Sequence, residues 1–222
     1  MIRDELRSAA EPVLKQIKEH PYWEGLGDGS LPGPALGHFI LQDAHHLLPA
    51  LARGSARCAA IATDDSHSML LSKFSMGALQ ARNGMMMAFG MLAPRLGLQA
   101  DGTIPPIDPA THAYASFFNA ASAESLAAGL GALLPCSWFH IQVADDLQQR
   151  HDPASKYAMW VKGYHPGDEY RQVLDSFLNV VDEVAERCSP AEREKLVENF
   201  TLGARYEWLF AEAAWQLRKW PV

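Results

Sequence analysis

The sequence predicts an all-α protein, a single helical bundle over residues 1–222. Three observations carry that prediction. Apolar residues recur at intervals of three and four in one segment after another. No segment alternates apolar and polar positions with β-branched enrichment, as a half-buried strand would. Stretches rich in proline and glycine separate the periodic segments, and 48% hydrophobic against 20% charged residues over 222 positions is enough apolar material for one core.

The elements follow in order. Residues Asp4 to Lys18 carry Leu6, Ala9, Ala10, Val13, Leu14 and Ile17 at helical spacing, with acids early and lysine late, as the helix dipole favours. His20-Pro21 ends this helix, and Gly25 to Gly33 reads as a turn-rich connection. Pro34 opens a helical pattern to about Ala62, with Pro49 and Gly54 as candidate breaks. Thr63-Asp64-Asp65-Ser66 supplies N-caps for a long helix to about Leu92, in which Met76 and Met85-Met86-Met87 read as core fillers. Leu98 to Asp108 is loop. Pro109 then opens a helix through Tyr114 and Phe118, and Ser122 or a near neighbour opens another to about Gln149. His151-Asp152-Pro153 breaks the pattern, a short helix through Trp160 and Tyr164 stops at His165-Pro166-Gly167, and a further one runs from Asp168 to about Arg187. Ser189-Pro190-Ala191-Glu192 combines an N-cap, a proline at the first helical position and an acid in the first turn, opening a last helix to about Trp220.

Composition narrows the function. A net charge of −7 without a Lys/Arg block argues against nucleic acid, whose phosphates such a surface repels. No basic amphipathic helix suits an anionic membrane surface, no run is expected to span a bilayer, and Met1 to Arg7 lacks the apolar core of a signal peptide. Cys58, Cys136 and Cys188 are odd in number and far apart, which fits reduced thiols. The expectation is a cytoplasmic protein.

Three places put reactive side chains in apolar surroundings. In Gly131 to His140, Cys136 and His140 lie four apart and so share a helix face, while Pro135 is expected to kink the helix beside the sulfur. In Phe39 to Leu48, Asp43 and His46 interrupt an apolar face, and a buried Asp43 would need a partner. In Arg205 to Phe210, Glu207 is flanked by Tyr206, Trp208, Leu209 and Phe210, an environment that raises a carboxyl pKa and suits general acid work. Each has a plain alternative: Cys136 as a small core hydrophobe, Asp43 capping a helix or orienting a core histidine, Glu207 on the surface. Convergence of Asp43, His46, Cys136 and His140 on a metal is a further possibility, since all four are ligand types. His67, His112, His151 and His165 fall at helix ends or in loops and read as solvated or capping groups.

These pieces together resemble the TenA family of thiaminase II enzymes. The resemblance runs over nearly the whole chain, from His20-Pro21 and Gly27 to Pro32, through Phe39 and Gln42-Asp43, to Leu133-Leu134-Pro135-Cys136 and Trp138, then Trp160 with Tyr164, and Tyr206-Glu207 with Phe210. It implies a bundle similar to haem oxygenase in fold but without haem, and an aminopyrimidine hydrolase, acting on thiamin or its degradation products, that needs no cofactor or metal. It further implies Cys136 as nucleophile, Glu207 as acid and base, Asp43 as the carboxylate that holds the amidine edge, Tyr114 and Tyr164 as pocket walls, and a homotetramer. The chain departs from the family in carrying His45, His46 and His140 where tyrosines are usual, and Arg82, Gly84 and Ala88 near positions often held by glutamates and histidine. His46 and His140 are then expected at the substrate, His140 either replacing a tyrosine hydroxyl or lowering the Cys136 pKa as an imidazolium. A different heteroaromatic substrate, a metal-dependent oxygenase and a non-catalytic binder of the same fold are the alternatives.

Overall fold

The computed structural model describes residues 1–98 and 102–222, and among these every regular element is helical. In chain order they are α1 Ile2–Lys18, α2 Pro21–Asp28, α3 Gly33–Gln42, α4 Leu48–Ile61, α5 Asp65–Leu92, α6 Pro109–Glu124, α7 Leu126–Arg150, α8 Ala158–Tyr164, α9 Gly167–Arg187 and α10 Pro190–Trp215. A π-helical turn, Asp43–Leu47, joins α3 to α4, and a 3-10 turn, Ala93–Leu96, follows α5. The part of the expected loop at 99–101 lies outside the described residues.

Capping residues set most boundaries. Asp64, Asp108, Ser125 and Ser189 each accept a hydrogen bond from a backbone N–H in the first turn of α5, α6, α7 and α10, and Ser189 and Glu192 close a capping box. Three boundaries differ from expectation. Residues 25–28, read as turn, are the second half of α2, which starts with His20 as N-cap and ends on Gly29 at φ 88°. Gly29 is the left-handed stop, and the glycines before it misled the sequence reading. The final helix ends at Trp215, five residues early, because Leu217 turns to positive φ and the tail lays Trp220 against the Ile107 carbonyl. The irregularity near Pro49 is the π turn before it, where the Leu48 N–H reaches back five residues to the Asp43 carbonyl.

α7 is the core helix, with α10 laid against it. α7 runs unbroken through Pro135. Gly131 allows α10 to approach closely: a Cβ there would lie 2.3 Å from the Leu196 carbonyl oxygen on α10. Gly203 of α10 in turn clears Pro135. Small residues at the crossing draw the two axes together and bring residues 136 and 207 to the same interior. α7 also corrects the expectation about membranes, being long and apolar enough to span one, but 78% of its most apolar window is buried inside the bundle. Of the methionines expected to fill core gaps, Met85 and Met86 are partly buried against the core, whereas Met76 and Met87 are mostly exposed on α5. His67 is buried and pairs with Glu183, so it is neither solvated nor a cap, whereas His165 accepts the Gly167 N–H at the start of α9, the capping role expected, and also pairs with Asp145.

Candidate active site

A cavity of about 610 Å³ opens among α3, α5, α7, α8, α9 and α10. Phe39 and Asp43, one helical turn apart, reach it from α3 and the π turn; Cys136 and His140 come from α7, Tyr164 from α8, Tyr170 from α9, and Glu207 and Phe210 from α10. Trp23 of α2 packs edge-on to Phe39 and closes one side.

The chemistry gathers around Glu207. Tyr114 is fully buried and its hydroxyl donates to Glu207 Oε1 at 2.5 Å, and the Cys136 thiol interacts with the same carboxylate. Burial pushes the Glu207 carboxyl up to about 7, and these two donors restrain the rise. Burial pushes Asp43 up to about 8, with the Glu207 charge adding to it. The Cys136 thiol is raised well above its ordinary value by burial, then by the Glu207 and Asp43 carboxyls. Three acidic groups thus share one poorly solvated space, and near neutrality most of their protons stay on.

Asp43 was expected to be paired if buried. Among the described residues it has no hydrogen-bond partner, because a protonated carboxyl facing a cavity avoids the cost of a buried charge by neutralising it. Tyr164 lines the cavity as expected. Tyr114 does not; it stands behind Glu207 and positions it. His46 is turned away from the cavity and bonds through Nε2 to the Pro105 carbonyl at 2.9 Å, so it is not a substrate contact. The reason is helical register. His38, Gln42 and His46 share the outer face of α3 and hold the segment before α6, with Gln42 bonded to the Pro106 carbonyl and the Asp108 N–H, and His38 to the Asp108 carboxylate. With His46 facing outward, the four-residue metal cluster does not assemble.

His140 reaches the cavity, yet its Nε2 bonds to the Tyr164 carbonyl at 3.0 Å and its ring lies 4.6 Å from that of Tyr164. Burial lowers its pKa, so it is a neutral imidazole that anchors α8 rather than an imidazolium beside the thiol. Sequence reasoning missed Trp23 and Tyr170. Trp23 lay in the unrecognised helix α2, and Tyr170 follows the Pro166-Gly167 break, where the register of α9 cannot be read from the sequence.

The raised carboxyl pKa of Asp43 has a sign for stability. The unfolded chain ionises this group near its ordinary value while the folded protein holds the proton up to about 8, so stability falls as pH rises from about 4 to about 8. Asp43→Asn is expected to raise stability on the order of 1–3 kcal/mol at pH 8 in urea unfolding, with the difference shrinking toward pH 4. An equal effect at both pH values would mean that Asp43 is not held protonated.

The comparisons with known proteins follow this geometry. The aminopyrimidine aminohydrolase of Halalkalibacterium halodurans is 30% identical, the alignment covering 97% of this chain and 96% of that protein. The enzyme of the same name from Bacillus subtilis is 28% identical over 98% of this chain and 91% of its own length. Among solved structures, a TenA homologue from P. horikoshii OT3 superposes with a TM-score of 0.79 at 26% identity, over 97% of this chain and 99% of that one. A protein with a heme oxygenase-like fold from Shewanella denitrificans OS217 superposes at 0.70 with 11% identity over 97% of this chain and 91% of its own, a likeness of fold alone. The model of the TENA/THI-4/PQQC family matches residues 7–217, and the chain belongs to that family.

Proposed function

We propose that this protein is an aminopyrimidine aminohydrolase of the thiaminase II type, with Cys136 as nucleophile, Glu207 as acid and base, and Asp43 as the carboxyl that holds the amidine edge of the substrate. The observation that carries the reading is the meeting of these three side chains in one cavity walled by Trp23, Phe39, Tyr164 and Phe210, which fits a flat heteroaromatic ring. The names of the relatives from H. halodurans and B. subtilis agree with it.

The raised acidities suit the chemistry. In the empty site the thiol proton is retained, which protects the sulfur. A bound aminopyrimidine brings a basic ring nitrogen and an amino group. Asp43, with a pKa of about 8, gives or shares its proton with that edge and becomes a carboxylate paired to a cationic amidine. Glu207, at about 7, is half ionised near neutrality and takes the Cys136 proton across their hydrogen bond. The sulfur then adds to an electron-poor ring carbon. Electrons returning from the ring expel the leaving nitrogen from the exocyclic carbon, Glu207 protonating an amine, whereas a thiazolium leaves as neutral thiazole with no proton needed; water then adds at the same carbon, giving up a proton, and the sulfur departs and is reprotonated as the thiol. The products are the hydroxymethylpyrimidine and ammonia or, from thiamin, the thiazole. Tyr114 fixes the Glu207 carboxylate throughout.

The reading includes a place in thiamin pyrimidine salvage, in the cytoplasm, with no cofactor or metal in the reaction and no nucleic acid or membrane as partner. It also includes a homo-oligomer, a tetramer by family resemblance. Free Cys58, Cys136 and Cys188 fit a reducing compartment, and the exposed Met69, Met76, Met87 and Met91 of α5 supply apolar area for a subunit contact.

Cys136→Ser is expected to lower turnover of an aminomethylpyrimidine by at least a thousandfold in an ammonia-release assay, with an unchanged far-UV spectrum. A variant that keeps more than a tenth of the wild-type rate removes Cys136 from the nucleophile role, and wild-type inactivity on thiamin, aminopyrimidines and formylaminopyrimidines alike rejects the substrate class. Light scattering is expected to give a mass of about four chains at micromolar protein. A mass of one chain excludes the assembly.

A further inference from the structure

Tyr22, Tyr114 and Tyr157 are all fully buried, and two of the three use their hydroxyls. Tyr114 donates to Glu207, and Tyr157 donates to the Leu31 carbonyl at 2.7 Å. The hydroxyl of Tyr22, on a residue 0% exposed, has no partner among the described residues. A buried hydroxyl left without a partner costs about 1–3 kcal/mol, and phenylalanine would place the same ring there without that cost. Packing therefore accounts for the ring of Tyr22 and not for its oxygen.

The ring stands behind the cavity wall. It is stacked on Phe39, with centroids 5.0 Å apart and planes at 26°, and it meets Trp23 edge-on at 4.9 Å. Phe39 and Asp43, one helical turn apart, both face the cavity, so Tyr22 backs the wall from which Asp43 projects. Burial, then Tyr157 and Asp43, hold the Tyr22 pKa well above its ordinary value, which keeps the hydroxyl a neutral donor. Of these two neighbours, Tyr157 has already given its proton to Leu31, whereas the Asp43 carboxyl has no hydrogen-bond partner. Two unpartnered buried groups, one a donor and one an acid, thus share one corner of the site. An ionised carboxylate accepts at about four lone-pair positions, and a planar amidine edge uses one from each oxygen. The remaining positions need donors in a space this poor in water.

We propose that Tyr22 is a positioning residue for Asp43: its hydroxyl donates to the Asp43 carboxylate, directly or through one enclosed water, once that carboxylate forms against the cationic amidine edge of the substrate. The inference rests on the proposed function for its substrate readout and stands apart from it in the ligand-free protein, where the same bond forms whenever Asp43 ionises. Tyr22 then does for Asp43 what Tyr114 does for Glu207, with one difference. Tyr114 is bonded in the ligand-free protein, whereas Tyr22 bonds only the charged form of its acid. It therefore eases release of the Asp43 proton and holds the resulting carboxylate in one orientation toward the ring. No proton leaves Tyr22.

Tyr22→Phe tests this, because it removes the oxygen alone and keeps the stack on Phe39. The other titratable groups around Asp43, namely Glu207, Cys136, Tyr114, Tyr164 and Tyr170, stay in place. In infrared difference titration of the ligand-free protein, the Asp43 carboxyl is expected to titrate about one pH unit higher in Tyr22→Phe than in wild type, the size of one lost hydrogen bond to a charge. With 5-aminomethyl-4-aminopyrimidine, KM is expected to rise about tenfold while kcat stays within about twofold, since the bond is present in the bound complex and in the transition state alike. Tyr157→Phe, which removes the neighbouring hydroxyl, is expected to change neither quantity. An unchanged Asp43 titration in Tyr22→Phe overturns the inference and leaves the proposed function standing, and so does a shift of equal size in Tyr157→Phe. Inactivity of wild type on the compound rejects the proposed function, and the titration then supports or overturns the bond between hydroxyl and carboxylate by itself.

Discussion

The whole site depends on one constraint, which is that three acidic side chains are held closer together than their charges tolerate in a medium of low polarity. Asp43, Glu207 and Cys136 each have an ordinary reason to be ionised or ionisable, and burial together with mutual repulsion denies it to them. The ligand-free protein therefore stores protons in this cavity. That arrangement keeps the proton on the thiol, and it costs stability that the surrounding apolar packing supplies.

The scaffold explains why the crowding persists. α7 and α10 cross where Gly131 and Gly203 allow close approach, and the residues one to two turns beyond that crossing are Cys136 and Glu207. Asp43 is delivered by a different device, the π turn that opens α3 into α4; such turns shift the register of everything that follows and recur at functional positions. The outer face of the same helix is tied down by His38, Gln42 and His46, each bonded to the segment before α6. The polar residues of this segment thus divide, the Asp43 carboxyl facing the cavity and the imidazoles and amide holding the segment before α6.

Much of this was legible in the sequence, and the gaps have physical causes. Helical periodicity and caps such as Ser189 with Glu192 announce the start of α10, and apolar flanks mark Cys136 and Glu207 as unusual. The role of His46 was not legible, because its spacing puts it near the face of both Gln42 and Asp43, and spacing says nothing about the Pro105 carbonyl that it bonds. His140 shares a face with Cys136 as expected, yet spacing says nothing about the Tyr164 carbonyl that claims its proton. α2 was hidden by its glycines, which serve as a left-handed stop at Gly29 and as a tight contact at Gly25, where a Cβ would lie 3.0 Å from the Leu31 amide. The exposed methionines of α5 show the same limit: composition marks them as apolar, but only the fold shows which way they face.

The central claim, a carboxyl at Asp43 that keeps its proton near neutrality, is open to direct observation by infrared difference spectroscopy of the ligand-free protein in heavy water between pH 6 and pH 9. The expected spectrum has, beside a Glu207 component titrating near pH 7, a protonated-carboxyl component that titrates near pH 8 and is missing in Asp43→Asn. A wild-type spectrum without the component near pH 8, identical to the variant's, would contradict the account.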